Sequence, residues 1–171
     1  SFLSPVSDDV LAHAELLTNQ TLGKKIRVHS HQNGLPDLEG VRLAIIGVAE
    51  NRNDADYIGE ELSFDGVRRA LYSLYSGNWH AHMADLGDLL PGETIQDTYY
   101  ALKTCLSVLI EKDIVPIIIG GSQDLTYINY RAYDELQPMI NIVNVDAKFD
   151  LGDAALPIKN NSYVCLLYTS L

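Results

Sequence analysis

Two short segments carry side chains whose type and spacing could do chemistry. Gly120-Gly121-Ser122-Gln123-Asp124 follows an apolar run and opens a helix-period stretch, a place where backbone N–H groups can receive an anion. Asp146-Ala147-Lys148-Phe149-Asp150 sets two carboxylates four residues apart beyond the next apolar run. Each has a plainer reading: Gly-Gly is a common strand-to-helix turn, and loop carboxylates at this spacing are more often solvated than metal-bound. The first segment is neither G-x-G-x-x-G nor a P-loop, so a nucleotide site lacks its phosphate fingerprint. His29-Ser30-His31 and His80-Ala81-His82 would each place two imidazoles on one face of extended chain, yet both pairs read as solvated or capping. Cys105 adjoins a Leu102/Leu106/Leu109 stripe and reads as a small core residue rather than a nucleophile. Tyr99-Tyr100 and the Tyr72/Tyr75 pair read as packing.

Composition narrows the partners. The 171 residues hold 12 Lys+Arg against 23 Asp+Glu, a formal charge of −11, which repels nucleic-acid phosphates and anionic membrane surfaces. A 47% hydrophobic and 20% charged chain has ordinary globular composition. Cys105 and Cys165 form no CxxC pair, which suits a reduced compartment and argues against a disulfide scaffold or zinc knuckle. With no basic, apolar leader and no apolar run of membrane-spanning length, the expectation is a cytoplasmic protein with a small-molecule substrate or metabolite, no nucleic acid and no membrane.

Elements must position these segments. Val41 to Ala49 is almost continuously apolar, as a strand covered on both faces should be. Val67, Ala70, Leu71 and Leu74 recur at helical spacing behind Ser63 as N-cap. A weak strand follows at His82 to Leu86, and Pro91-Gly92 marks a turn. Ile95, Tyr99, Leu102, Leu106 and Leu109 then step by four and three residues, the clearest helix of the chain. Ile117 to Ile119 forms a strand with Pro116 at its start, and Gln123 to Leu136 a helix with Leu125, Ile128, Ala132 and Leu136 inward. Ile140 to Val145 is expected as a strand that delivers Asp146. Before Val41, Ser7 to Leu17 reads as a helix and Gly23 to Gly40 as a loop. Strands alternating with helices predict an α/β fold, a doubly wound, mostly parallel sheet with helices on both faces, in which ligands gather beyond the carboxyl ends of the strands. Both chemical segments fall there.

Taken in order, these segments resemble the ureohydrolase family of arginase, agmatinase and formimidoylglutamase, most nearly the formimidoylglutamase-like branch of bacteria. Gly120-Gly121-Ser122-Gln123-Asp124 corresponds to the family's Gly-Gly-Asp-His-Ser. Asp146-Ala147-Lys148-Phe149-Asp150 corresponds to Asp-Ala-His-x-Asp. Gly66-Val67-Arg68 is similar to the early Gly/Arg helix start, and Asp85-Leu86-Gly87-Asp88 to the Asp-x-Gly-Asp run. The resemblance covers Val41 to Asp153. It implies an arginase-like three-layer α/β/α fold, two manganese ions, hydrolysis of a formimidoyl or guanidino C–N bond, and a homo-oligomer. It implies Asp146 and Asp150 as surviving metal ligands, with Gly120, Gly121, Ser122 and Asp124 lining the site.

The departures are chemical. Gln123 and Lys148 stand where the family has its two histidine ligands. A glutamine carbonyl can face manganese, but a protonated lysine has no lone pair to offer. Hydrolysis needs a metal-bound hydroxide, so the expectation is an impaired enzyme in which Lys148 pairs with the remaining carboxylates. The alternatives are a single ion held by Asp146, Asp150 and later residues, or a non-catalytic protein of this fold that binds a metabolite or partner. The family's third carboxylate motif, Ser-x-Asp-x-Asp, does not occur, so the domain is read as truncated on its carboxyl side. The expected division is an N-terminal helix and loop over 1–40, the family-like domain over 41–164, and a tail over 165–171. That tail resembles translated adaptor sequence and leaves Cys165 without a role.

Overall fold

The computed structural model describes residues 2–54, 61–78, 80–136, 140–143 and 145. Within them, chain order runs β1 (Leu3–Ser4), α1 (Asp8–Leu16), β2 (Arg27–Val28), β3 (Val41–Val48), α2 (Asp65–Tyr72), β4 (His82–Leu89), α3 (Ile95–Glu111), β5 (Val115–Ile119) and α4 (Leu125–Asp134). The sheet order is β1-β4-β3-β5, with β2 also on β4. β2, β3 and β5 are parallel to their partners, and β1 is antiparallel to β4. This is the mostly parallel α/β sheet that the alternating pattern predicts.

The sheet is covered on both faces because its strands alternate. Ala44, Ile46 and Val48 of β3, with Ala84 and Leu86 of β4, pack against Leu102, Leu106 and Leu109 of α3 and Leu125, Ile128 and Ala132 of α4. The intervening residues point the other way, toward α2, which with α1 forms a second cluster of Val6, Val10, Ala14 and Tyr72. α3 starts where Thr94 accepts from Asp97 N–H while Asp97 accepts from Thr94 N–H, a capping box that satisfies two amides otherwise left without a helical partner. Ser7 caps α1 by accepting from Val10 N–H, without the reciprocal bond.

Expectations are corrected at four places, the first of them α2. Ser63 is not the cap of α2: Phe64 occupies that place and makes no side-chain cap. Nor does α2 bury its aliphatic stripe. Val67 and Leu74 are 50% and 55% exposed, whereas Arg68 and Tyr72 are wholly buried. The reason lies on β4, where Asp85 is buried and takes Arg68 Nε at 2.9 Å, Arg68 Nη2 at 3.1 Å and the Tyr72 hydroxyl at 2.9 Å. A carboxylate inside the fold must find its donors, and Arg68 and Tyr72, four residues apart, share the helix face that supplies them. Second, β4 extends to Leu89 instead of ending near Leu86, and the segment read as loop from Gly23 to Gly40 contains β2. Third, Leu136 lies past the end of α4 and is 39% exposed. Fourth, residues 140–143 and 145 lie in no strand, and Val143 and Val145 are almost fully exposed. A two-faced apolar strand needs cover on both sides, which the described residues do not give it.

The Arg68–Asp85 pair generates a direct expectation. Arg68→Met strands the Asp85 carboxylate in the core and should lower unfolding free energy by about 3–5 kcal/mol in urea titration; a loss under about 1 kcal/mol would rank the pair with surface bridges. Thr94→Ala should cost about 1 kcal/mol in the same titration through loss of the α3 cap.

Candidate functional site

β3 and β5 run side by side, with Gly47 opposite Ile119, so the segments that follow them emerge together at the carboxyl end of the sheet. After β5 the chain turns through Gly120 and Gly121, both left-handed at φ 78° and 85°, a conformation that costs glycine nothing. Space demands glycine as well: a Cβ at Gly120 would enter the Phe64 ring, and one at Gly121 would meet Leu125. The turn then docks on the segment after β3, where Ser122 N–H donates to the Glu50 carbonyl at 2.8 Å.

The structure unites the five residues of the first motif but assigns them different work. Ser122 and Asp124 are both only 3% exposed, and Gln123 is half-buried. The Tyr99 hydroxyl donates to the Asp124 carboxylate. Asn53 Nδ2 donates to Asp124 Oδ2 at 3.1 Å and to the Tyr99 oxygen at 2.8 Å. Burial and the adjacent Asp124 both push the Tyr99 phenol up, so it stays a proton donor. Asp124 stands at the start of α4 without capping it. A buried carboxylate at the helix N-terminus opposes an incoming anion, and Ser122 N–H is already taken, so the turn is not an open anion cradle.

Beside this lies a second carboxylate. Glu50 is fully buried and receives Arg52 Nε at 2.9 Å, Arg52 Nη2 at 2.5 Å, Arg52 N–H at 3.0 Å and the Thr98 hydroxyl at 2.8 Å. Burial pushes its carboxyl up, but the donors from Arg52 and Thr98 outweigh this and hold it below the usual range. On the far side of β3, Arg68 Nη1 approaches Asp88 Oδ1 at 2.7 Å without hydrogen-bond alignment. Burial, with Asp85 and Asp65 nearby, raises the Asp88 carboxyl despite Arg68.

The second motif, with Asp146, Lys148 and Asp150, lies outside the described residues, as do Cys165 and 165–171. Among the described residues no three His, Cys, Asp or Glu side chains converge as a metal-ligand set. His29 is buried and bonded to the Leu86 carbonyl at 2.9 Å, while His31 is exposed. His80 and His82 line a cavity of about 750 Å³ with Leu43 and Met83, near the starts of β3 and β4. Cys105 packs on the α3/α4 core, and burial pushes its thiol up. Tyr72 and Tyr99 correct the reading of the tyrosines as plain packing, since each donates to a buried carboxylate. Glu50, Arg52, Asn53 and Thr98 were not singled out from sequence; the one signal was an Asn- and Asp-rich loop following an apolar strand.

Comparison with known proteins agrees with this geometry. The model of the arginase family matches residues 41–167. A formimidoylglutamase of Streptococcus gordonii is 28% identical over 125 residues, 68% of this chain and 38% of that protein. The crystal structure of Trypanosoma cruzi formiminoglutamase with Mn2+2 superposes with a TM-score of 0.63 at 21% identity, over 78% of this chain and 48% of that one. A hypothetical agmatinase from Burkholderia thailandensis gives 0.64 at 20% identity, over 78% and 45%. The chain thus spans less than half the length of each of these relatives, and the two structural likenesses establish the fold. With its first motif on the turn after β5 and the family match extending over most of its length, the chain belongs to the arginase family.

Proposed function

We propose that the chain is part of a formimidoylglutamase-like ureohydrolase whose capacity to hydrolyse a formimidoyl or guanidino C–N bond is impaired because its binuclear manganese site is depleted. The observation that supports this reading is the engagement of Asp124: the one carboxylate of the first motif holds Tyr99 and Asn53 on Oδ2, and only its buried Oδ1 lacks a hydrogen-bond partner. At the position where the resemblance puts a histidine ligand, Gln123, an amide, offers a neutral oxygen. In the second motif Asp146 and Asp150 remain as ligand types, but Lys148 stands between them in sequence. An ammonium donates and cannot accept, and its charge would repel a dication and neutralise the flanking carboxylates in its place. This donor set does not fit two manganese ions.

The Lys148 ammonium favours the second reading, a non-catalytic protein of this fold that binds a small metabolite or a partner. It puts a positive charge at the sequence position where the resemblance puts a metal-binding imidazole, and hydrolysis needs a metal-activated water.

Metal analysis decides between depletion and retention. After dialysis against manganese, the purified complete protein should retain well under one ion per chain and release no ammonia, formamide or urea from formimidoylglutamate, agmatine or arginine. About two bound manganese ions per chain, the number a two-metal centre requires, would sink the proposal. Gln123→His with Lys148→His should raise manganese retention measurably over the parent chain.

A further inference from the structure

The segment after β3 and the turn after β5 form the described rim at the carboxyl end of the sheet, and they meet in two ways. One is Ser122, whose N–H and hydroxyl both donate to the Glu50 carbonyl. The other consists of side chains: Asn53 reaches across to Tyr99 and Asp124, and Tyr99 donates to the same Asp124 oxygen. Both ends are anchored. Tyr99 follows Thr98 on α3, and Thr98 is fastened to Glu50; Asp124 begins α4, which packs on α3. The resemblance puts serine at the fifth position of the first motif and aspartate at the third. Here the order is reversed, with Ser122 on the backbone of Glu50 and the carboxylate at 124, where it reaches α3.

We infer that Asp124 is a positioning residue that, through Tyr99 and Asn53, latches the 51–54 segment to the 120–124 turn without a metal ion. A metal can tie two loops, but such a tie needs deprotonated ligands and is lost to a chelator. Hydrogen bonds to a buried carboxylate are shorter and stronger than neutral ones and need neither. The latch stands on the geometry above; its independence of metal rests on the depleted-site reading.

Hydrogen exchange on the full chain, followed in peptides covering 50–54 and 120–127, tests both. Protection should be the same with excess EDTA, with manganese and with neither. Tyr99→Phe and Asp124→Ala should each speed exchange there by at least about tenfold, the effect of removing a hydrogen bond to a charged group, while β3 and β4 stay protected. The acceleration in the double variant should fall short of the product of the two single accelerations, because coupled groups share part of one loss. Effects that multiply, or no acceleration in either variant, overturn the latch. Protection lost on chelation overturns its independence of metal. If Asp124→Ala does not fold, Asn53→Ala removes one arm alone and must accelerate the 50–54 peptide; unchanged exchange overturns the latch. Manganese content of the same sample keeps the two readings apart, since about two ions per chain with chelator-insensitive protection overturns the depleted site and leaves the latch standing.

Discussion

A charged pair at the centre of the sheet sets the arrangement of the amino-terminal half. Arg68 and Asp85 are both fully buried, and ions removed from water are tolerated only where hydrogen bonds and opposite charge replace the lost hydration. Asp85 accepts two bonds from Arg68, one from Tyr72 and one from Gly87 N–H, and the arginine returns a bond to the Gly87 carbonyl. Meeting those demands fixes the rotation of α2, which then exposes Val67 and turns Tyr72 toward α1. The Asp85 carbonyl meanwhile receives His29 N–H, and the His29 carbonyl receives Val6 N–H. The chain before β3 is therefore seated by the same residue that seats α2.

The opposite face and the rim obey a different economy. α3 contributes leucines to the core along its length and polar groups at its first turns, where Thr98 and Tyr99 meet Glu50 and Asp124. One rigid helix thus connects apolar packing with the residues that shape the carboxyl end. Glu50 is saturated from within the chain by Arg52 and Thr98, whereas Asp124 takes Tyr99 and Asn53 on Oδ2 alone and keeps a buried Oδ1 without a hydrogen-bond partner. Glu50, so satisfied, has little left to offer an ion.

Apolar periodicity made the architecture readable from sequence. β3 and α3 carry one signal each, a continuous run and a regular stripe, and no competing interaction disturbs either. α2 was misread because its Val67/Leu71/Leu74 stripe is an equally good helical pattern, and only the position of Asp85 across the sheet decides which face turns inward. The two-residue strands β1 and β2 have no periodicity to detect; they exist because β4 presents an edge. At the rim, the Gly-Gly turn announced itself through residue type. The partners of Asp124 did not, because Asn53, Tyr99 and Asp124 are separated by 46 and 25 residues, and nothing local in the sequence joins them.

The two edges of the sheet are not equivalent. β1 lies along the later half of β4 and β2 along its earlier half, so two short strands share the work of blunting one side. Flanking strands of this kind deny a template to a foreign chain. On the other side β5 presents Val115 and Ile117, 52% and 37% exposed, interrupted by Pro116, which has no N–H to donate. Among the described residues no strand covers this side of β5, and Pro116 leaves β5 one amide donor short.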